Sequence, residues 1–300
     1  MPLPLDMLES VVRITTFGDL LGTGFVVRVA SETGHGSHSY LVTAHHVIRH
    51  QTGIHVELAI PDSNGALYPA APIDSKRWRQ PLKDVDLAVA YYTEGEEQFH
   101  HGTWAHAIGV PDLGGHIYYG GIFEPLDRPM ARSGTIGAIE QEGIRHSNGA
   151  YTFPAHLVDC RGYLGFSGSP CWVEAAFAAP GKDVPPWIPD EDRPLAPMHY
   201  YTLLCGLLTA HFSDEKTDDA KGVISRYGVG IMLPGRFIWE ALMTDESRQE
   251  RLKVDEQRAS RKRQPPLEDM GGGADEFSRF EDLTRKLVNT PKPKPDEDES

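Results

Sequence analysis

Short apolar runs, each bounded by turn residues, fill the first 235 residues of the 300-residue chain. The runs are rich in valine, isoleucine, threonine and tyrosine, which favour β-strands, and glycine, proline, aspartate or asparagine stands between them. About a dozen runs follow one another without a helical pattern, among them SVVRITT, GTGFVVRVA, SYLVTA, IHVELAI, DLAVAYY, HIYYGGIF and YGVGIML. This succession predicts an all-β body built as barrels or as a sandwich.

Two departures from this pattern mark other kinds of segment. Residues 178–199 contain six prolines, which a central strand does not accommodate, so they predict a long surface loop. From residue 236 the apolar spacing becomes helical and strong helix formers dominate, which predicts a C-terminal helix through residues 244–270. The β-rich body therefore ends near residue 243.

Residues 271–300 combine three further patterns. A GGG sequence at 271–273 predicts a flexible joint. Apolar residues then recur at steps of three and four, which predicts an amphipathic helix within 275–290; they are Phe277, Phe280, Leu283 and Leu287. A helix this short is unstable alone, so it either docks on the body or binds a partner. The terminal TPKPKPDEDES has the composition of a disordered segment.

The charge balance and the cysteines narrow the class of partner and the compartment. The net charge is −14, and residues 244–300 carry only −3 of it, from 15 acids and 12 bases. The acidic body argues against nucleic acid or an anionic membrane as a partner. Three cysteines, an odd number, predict reduced thiols. We see no signal-peptide pattern and no long apolar span, so the expected location is cytoplasmic.

The candidate chemistry begins at GFSGSP, residues 165–170. A serine between glycines, Ser167, suits a nucleophile because small neighbours allow a tight turn and expose the hydroxyl. Ser169 stands where the nucleophile elbow of α/β-hydrolases requires glycine, so that fold is not indicated. A histidine follows the strand in YLVTAHHVI, and a carboxylate precedes the strand in DVDLAV. The order His, Asp, Ser is that of the chymotrypsin-type proteases.

Six motifs in register now carry a resemblance to a known family: GTGFVVRV, YLVTAHHVI, DVDLAV, GFSGSPCW, CGLLTAHF and YGVGIMLP. Over residues 8–243 the chain resembles the trypsin-like serine peptidases. The likeness is closest to the bacterial and intracellular branch of high-temperature-requirement proteases and glutamyl endopeptidases. This resemblance implies two packed antiparallel six-stranded β-barrels, at about 8–110 and 111–243. It also implies hydrolysis of peptide bonds in a protein or peptide substrate without a cofactor.

The same motifs imply the roles of individual residues. His46 is the fourth residue of the T-A-x-H motif and matches the catalytic base. Asp86 matches the carboxylate that orients it, with Asp84 as the competing position, and Ser167 matches the nucleophile. The backbone amides of Gly165 and Ser167 would form the oxyanion hole. His45 occupies a position where the family has a small residue, and we expect it to pack or to form a hydrogen bond.

Two other classes of function remain as alternatives. A metal site would use His35, His38, His45 and His46, but their spacing matches no zinc signature. A protease-fold scaffold that binds peptides or partner proteins without cutting them normally lacks a triad residue, and none is missing here. The sequence therefore favours an active serine endopeptidase over both alternatives.

The resemblance also implies a specificity pocket and a mode of regulation. Thr209, Ala210 and His211 match the strand that lines the primary pocket and pairs with an extended substrate. Arg161, six residues before Ser167, matches the pocket floor and suggests a preference for Asp or Glu, unless it is simply exposed. The relatives' glutamate-binding histidine aligns with Leu208, which opposes a simple transfer. We expect a regulated intracellular protease that binds a regulatory protein through residues 275–290.

Overall fold

In the computed structural model the described residues are 5–8, 10–17, 19–33, 36–49, 55–56, 59–61, 67–69, 73–92, 103–105, 108–122, 129–145, 151–160, 165–178, 198–211 and 228–263. The chain divides into two units, Met1–Leu252 and Lys253–Ser300, and the site described below lies in the first. Within the described residues no helix is both long and apolar enough to cross a membrane.

The N-terminal half forms an antiparallel sheet with two small satellite sheets. The main sheet has the order β1-β2-β3-β8, with β9 parallel to β2; its strands are β1 Val11–Thr16, β2 Asp19–Ala30, β3 Ser37–Thr43, β8 Ala88–Tyr92 and β9 Thr103–Trp104. The satellites pair β4 with β7 and β5 with β6; these are β4 His55–Val56, β5 Ala59–Pro61, β6 Leu67–Pro69 and β7 Ile73–Asp74. The shorter elements are helix α1 Leu5–Leu8, helix α2 His45–Ile48 and a 3-10 turn Ser75–Arg77.

The C-terminal half is a closed barrel of six antiparallel strands. Its order around the ring is β10-β11-β12-β15-β14-β13; the strands are β10 His116–Ile122, β11 Pro129–Arg145, β12 Thr152–Asp159, β13 Ser169–Ala178, β14 Met198–His211 and β15 Val229–Pro234. Buried side chains fill its interior, including Ile117, Tyr119, Ile136, Val158, Phe166, Leu208 and Met232. This barrel confirms the second six-stranded barrel that the sequence analysis predicts.

The all-β prediction is confirmed, although closure of the first barrel stays a prediction. The described strands of the N-terminal half make five members of one sheet, and the segments between its satellites lie partly outside the described residues. The apolar run IHVELAI is not one strand, because β4 and β5 belong to different satellite sheets.

The cysteines agree with the expectation of reduced thiols. Cys160, Cys171 and Cys205 are all buried in the second barrel and none forms a disulfide. Burial raises the pKa of Cys160 to about 12, which leaves it protonated and unreactive.

The predicted C-terminal helix is two helices rather than one. Helix α3 spans Gly235–Leu242 and helix α4 spans Asp245–Arg263. The helical conformation is interrupted between them, and Thr244 is the N-cap residue of α4. Its hydroxyl accepts a hydrogen bond from the amide of Ser247 at 3.4 Å. Residues 264–300, which include the predicted helix at 275–290, lie outside the described residues.

The start of α4 is fastened to the first barrel by a buried arginine. Arg251 is 1% exposed, and its guanidinium donates to the carbonyl of Leu242 at 2.7 Å and to the hydroxyl of Tyr40 at 3.3 Å. Glu32 lies 3.5 Å away and balances the charge. Arg251 therefore satisfies the end of α3 and ties it to strand β3.

Both ends of the loop predicted at residues 178–199 belong to strands. Ala178 pairs with Met198 and Phe177 pairs with His199, so β13 and β14 extend into the range 178–199 as the arms of a hairpin. Residues 179–197 lie outside the described part of the chain.

Candidate active site

The structure brings His46 and Asp86 into direct contact. His46 lies in helix α2, which follows strand β3, and Asp86 precedes strand β8, the neighbour of β3 in the sheet. The ring Nδ1–H of His46 donates to Oδ2 of Asp86 at 2.7 Å, and the amide of His46 donates to Oδ1 at 2.8 Å. Both carboxylate oxygens are thus bonded to one residue, which fixes the tautomer and the orientation of the ring.

Burial distinguishes Asp86 from its competitor Asp84. The side chain of Asp86 is 0% exposed, so its charge is shielded from water and is matched by the two donors of His46. Asp84 is exposed in the preceding turn and has a φ of 65°, a left-handed value that aspartate tolerates better than most residues. The structure therefore places Asp86, and not Asp84, against the histidine.

Ser167 lies in a turn that enters strand β13, and Thr23 fastens this turn to strand β2 of the N-terminal sheet. The hydroxyl of Thr23 donates to the carbonyl of Gly165 at 2.6 Å and accepts from the amide of Ile122 at 3.0 Å. The amide of Thr23 donates to the carbonyl of Ser167 at 2.8 Å. One buried residue of β2 therefore bonds both ends of the serine turn, a role that the sequence analysis missed.

The glycines around Thr23 and Ser167 are required by close packing. A Cβ on Gly168, whose φ is 91°, would overlap the carbonyl oxygen of Thr23. A Cβ on Gly22 would lie 2.9 Å from the carbonyl oxygen of Ser167 and 2.9 Å from the methyl groups of Val47. The serine turn, through Ser167, and the helix that carries His46, through Val47, thus both lie next to Gly22.

The backbone amides of the predicted oxyanion hole, those of Gly165 and Ser167, lie in this turn. Gly165 has a φ of 91°, a conformation that other residues rarely adopt. The carbonyl of Phe166 turns inward to accept from the amide of Ser169 at 3.0 Å, and the opposed N–H of the same peptide, that of Ser167, points out of the turn. Within the described residues, the amides of Gly165 and Ser167 donate to no backbone carbonyl.

The hydroxyl of Ser167 donates to the backbone carbonyl of Thr209 at 3.2 Å. The side chain of Thr209 is buried, and its hydroxyl donates to Ile231 in β15 at 3.1 Å, so Thr209 faces the serine through its backbone. The β13–β14 ladder ends at the pair Ser169–Leu208, and among the described residues none pairs with positions 209–211 on that side. The strand that the sequence analysis assigns to substrate pairing thus has no strand partner on this side among the described residues.

The structure does not locate every predicted site residue. Arg161 lies outside the described residues, and only the backbone of His211 is described. Ala210 is 9% exposed and pairs with Ile231. For the metal alternative, His35 lies outside the described residues, and no group of three or more potential ligands is arranged to hold a metal ion in the described part of the chain.

His45 makes a contact that crosses between the barrels. Its Nδ1 lies 2.8 Å from the hydroxyl of Tyr151, next to strand β12, and the rings meet edge to face at 5.9 Å between centroids. Arg49 donates to the same hydroxyl at 3.4 Å. The pKa of Tyr151 is raised overall, and burial is the largest cause. The hydrogen bond from Arg49 opposes this rise, and the negative charge of Asp86 adds to it. Sequence analysis left the role of His45 open and had no signal for Tyr151, 106 residues away.

Comparison with known proteins shows which family the chain belongs to. The model of the trypsin-like peptidase domain matches residues 22–176, just over half of the chain. The chain belongs to the trypsin-like peptidase family. The matched region contains His46, Asp86 and Ser167. No curated protein sequence matches this trypsin-like peptidase significantly.

One solved structure shows the same fold, and two others are less similar to this chain. The protease domain of MamO from Magnetospirillum magneticum is similar with a TM-score of 0.50 and 14% identity, over 80% of this chain and 98% of that one. The active form of the Rv3671c protease from M. tuberculosis has a TM-score of 0.48 and 16% identity, over 80% and 82%. The HtrA-type protease AlgW, solved with a tripeptide, has a TM-score of 0.46 and 17% identity, over 79% and 60%.

Proposed function

We propose that the protein is a serine endopeptidase in which His46, Asp86 and Ser167 form the catalytic triad. The observation that carries the proposal is the double hydrogen bond between His46 and the buried Asp86, at 2.7 and 2.8 Å. A structural histidine has no need of a fully buried carboxylate that bonds both its ring and its amide. The arrangement instead suits a base that becomes positively charged during reaction.

In the proposed reaction, Ser167 attacks the carbonyl carbon of the peptide bond while Nε2 of His46 takes the hydroxyl proton. Asp86 stabilises the resulting imidazolium, and the amides of Gly165 and Ser167 stabilise the negative oxygen of the tetrahedral intermediate. Each such donor contributes about 3 to 4 kcal/mol to lowering the barrier. His46 then returns the proton to the leaving amine, and water repeats the sequence to release the acid.

The substrate strand would pair with β14 at residues 209–211. In the resting enzyme the carbonyl of Thr209 accepts the hydroxyl of Ser167 at 3.2 Å, so the hydroxyl must turn toward His46 before attack. A peptide N–H that bonds the Thr209 carbonyl would favour the turn by taking over the acceptor.

Specificity and regulation follow as finer parts of the proposal. Arg161 and His211 would give the pocket a preference for Asp or Glu before the scissile bond, and profiling the new termini of a digested peptide library tests this. A faster cleavage of Lys or Arg substrates than of their Glu analogues would contradict it. We further propose a cytoplasmic enzyme whose segment 275–290 binds a regulatory protein. Deleting residues 271–300 should then remove a co-purifying partner or change the activity, and no change in either would contradict it.

A fluorophosphonate probe tests the proposed function because it labels only an activated serine. We expect the wild-type protein to be labelled on Ser167, as located by peptide mass, and Ser167→Ala to be inert. Ser169→Ala is the matched control, since Ser169 is buried two residues away and should not react. Failure of the folded wild type to react would favour the second candidate, a peptide-binding scaffold. The hydrogen bond that turns the Ser167 hydroxyl to Thr209 is the observation that favours that candidate.

A further inference from the structure

His45 and His46 are consecutive residues of a one-turn helix, and their side chains point to different sides of it. Helix α2 has four residues, and Ala44 caps it without a side-chain hydrogen bond. A single turn has no stability of its own, so contacts outside the helix must fix its position. Consecutive side chains of a helix diverge by about 100°, and His46 therefore faces Asp86 while His45 faces away.

The face of α2 opposite Asp86 is held by the second barrel. His45 and Arg49 are four residues apart, on one side of a helical turn, and both reach the hydroxyl of Tyr151, at 2.8 and 3.4 Å. The Arg49 guanidinium also lies 5.6 Å from the centre of the Tyr151 ring. Tyr151 is only 4% exposed, so its hydroxyl depends on these protein partners.

Tyr151 and Ser167 belong to the same barrel, whereas His46 and Asp86 belong to the other. The distance from Nε2 of His46 to the hydroxyl of Ser167 therefore depends on how the two barrels are registered. Thr23 fastens the serine turn to the first barrel, and the hydroxyl of Tyr151 fastens the histidine helix to the second. The first contact holds the serine turn against strand β2, and the second holds helix α2 against Tyr151. Together they fix the position of His46 relative to Ser167.

We propose that Tyr151 is a positioning residue which, through its hydrogen bond to His45, holds helix α2 so that His46 meets Ser167. The role rests on the proposed peptidase function. It explains why a histidine stands beside the catalytic base, where the family has a small residue: its Nδ1 reaches a hydroxyl that a small side chain would not. Tyr151 acts through His45 and does not touch the reacting atoms.

Tyr151→Phe removes the hydroxyl and keeps the ring. It therefore tests whether the hydroxyl holds helix α2 in position, without opening a cavity. We expect the maximal rate of fluorophosphonate labelling to fall about tenfold, because misplacement of reacting groups by an ångström or less has effects of that size or larger. The reversible affinity for the probe should not change, because the peptide-binding edge is intact.

The chain offers a matched control in a second Tyr–His pair. The hydroxyl of Tyr91 lies 2.7 Å from Nδ1 of His38, inside the first barrel and on strand β8 rather than in the cleft. Tyr91→Phe should lower Tm by an amount similar to Tyr151→Phe but leave the labelling rate unchanged. His45→Asn, whose amide can replace Nδ1, should retain more of the rate than His45→Ala. Adding Tyr151→Phe to His45→Ala should slow labelling by less than the tenfold effect of Tyr151→Phe alone, since only the contact from Arg49 then remains to be lost.

Each result bears on one of the two proposals. If the wild type is labelled and Ser167→Ala is not, a Tyr151→Phe rate within twofold of wild type overturns the positioning role and leaves the peptidase function standing. An Asn variant as slow as the Ala variant also overturns it. If the folded wild type is not labelled, the peptidase function fails. The position of His46 is then decided by its ring resonances in NMR spectra: a shift in Tyr151→Phe but not in Tyr91→Phe supports the role, and no shift overturns it.

Discussion

Replacing Thr23 with valine removes one hydroxyl from the point where the two barrels meet. The side chain is 0% exposed, and valine has nearly the same shape, so the change is confined to hydrogen bonding. The carbonyl of Gly165 loses a 2.6 Å donor and the amide of Ile122 loses a 3.0 Å acceptor. A buried polar group left unpaired costs about 1 to 3 kcal/mol, so two of them predict a loss of roughly 2 to 6 kcal/mol in the free energy of unfolding.

The same change should impair catalysis more than stability alone explains. With its carbonyl released, Gly165 is free to turn, and its amide would no longer point into the proposed oxyanion hole. Loss of one such donor lowers kcat by about 10²- to 10³-fold, and partial misalignment should fall somewhat below that range. We expect Thr23→Val to lower kcat by roughly 10- to 100-fold with little change in KM, since the interaction is made only in the transition state.

Urea unfolding and peptide hydrolysis below the unfolding transition measure the two effects of Thr23→Val separately. Thr244→Val is the control: it makes the same chemical change at the N-cap of α4, should cost about 1 kcal/mol, and should leave kcat unchanged. A Thr23→Val enzyme with kcat within twofold of wild type and a stability loss below about 1 kcal/mol would refute the assigned role of Thr23.

Three further predictions concern the frame around the site. Gly168→Ala places a methyl group against the backbone oxygen of Thr23 at a φ of 91°, so we expect little folded protein, and a normal thermal transition by circular dichroism would contradict this. His156 is 1% exposed, Nδ1 accepts from the amide of Glu140 at 3.1 Å, and burial lowers the pKa of His156 below its ordinary 6.5. Stability should therefore be lost as pH falls below 6.5, since the unfolded chain binds the proton more tightly, and His156→Asn should flatten the acid limb of a Tm-against-pH curve. Arg251→Ala should lower the free energy of unfolding in urea by about 2 to 3 kcal/mol, because it leaves the carbonyl of Leu242 and the hydroxyl of Tyr40 without this buried donor. Arg248→Ala, which removes a more exposed partner of Glu32, should cost under about 1 kcal/mol.

The predicted triad could be found from the sequence because its motifs are local. Each catalytic candidate follows or precedes a strand with a clear apolar pattern, and the order of the three residues separates this family from other serine hydrolases. His46 could be chosen over His45 by its position in the motif, and the structure agrees, since Asp86 bonds the ring of His46. The six strands of the second barrel could be predicted for the same reason.

The contacts that hold the site together could not be predicted, because they join residues far apart in the chain. Thr23 meets Gly165 across 142 positions, and the only sequence signal was the pair of glycines beside it. Tyr151 had no signal, since nothing in its neighbourhood indicates that the fold brings it to His45. Helical spacing also hid the break at Thr244, where a capping hydroxyl outweighs continued helix propensity.

The proposed peptidase function requires Ser167 to be a nucleophile activated by His46 and Asp86. The turnover of casein or a peptide library by the purified wild type, Ser167→Ala and Asp86→Asn measures this activation. We expect cleavage by the wild type, none by Ser167→Ala, and a rate about 10⁴-fold lower for Asp86→Asn, in which the histidine tautomer is wrong. Equal rates in the wild type and Ser167→Ala would contradict it.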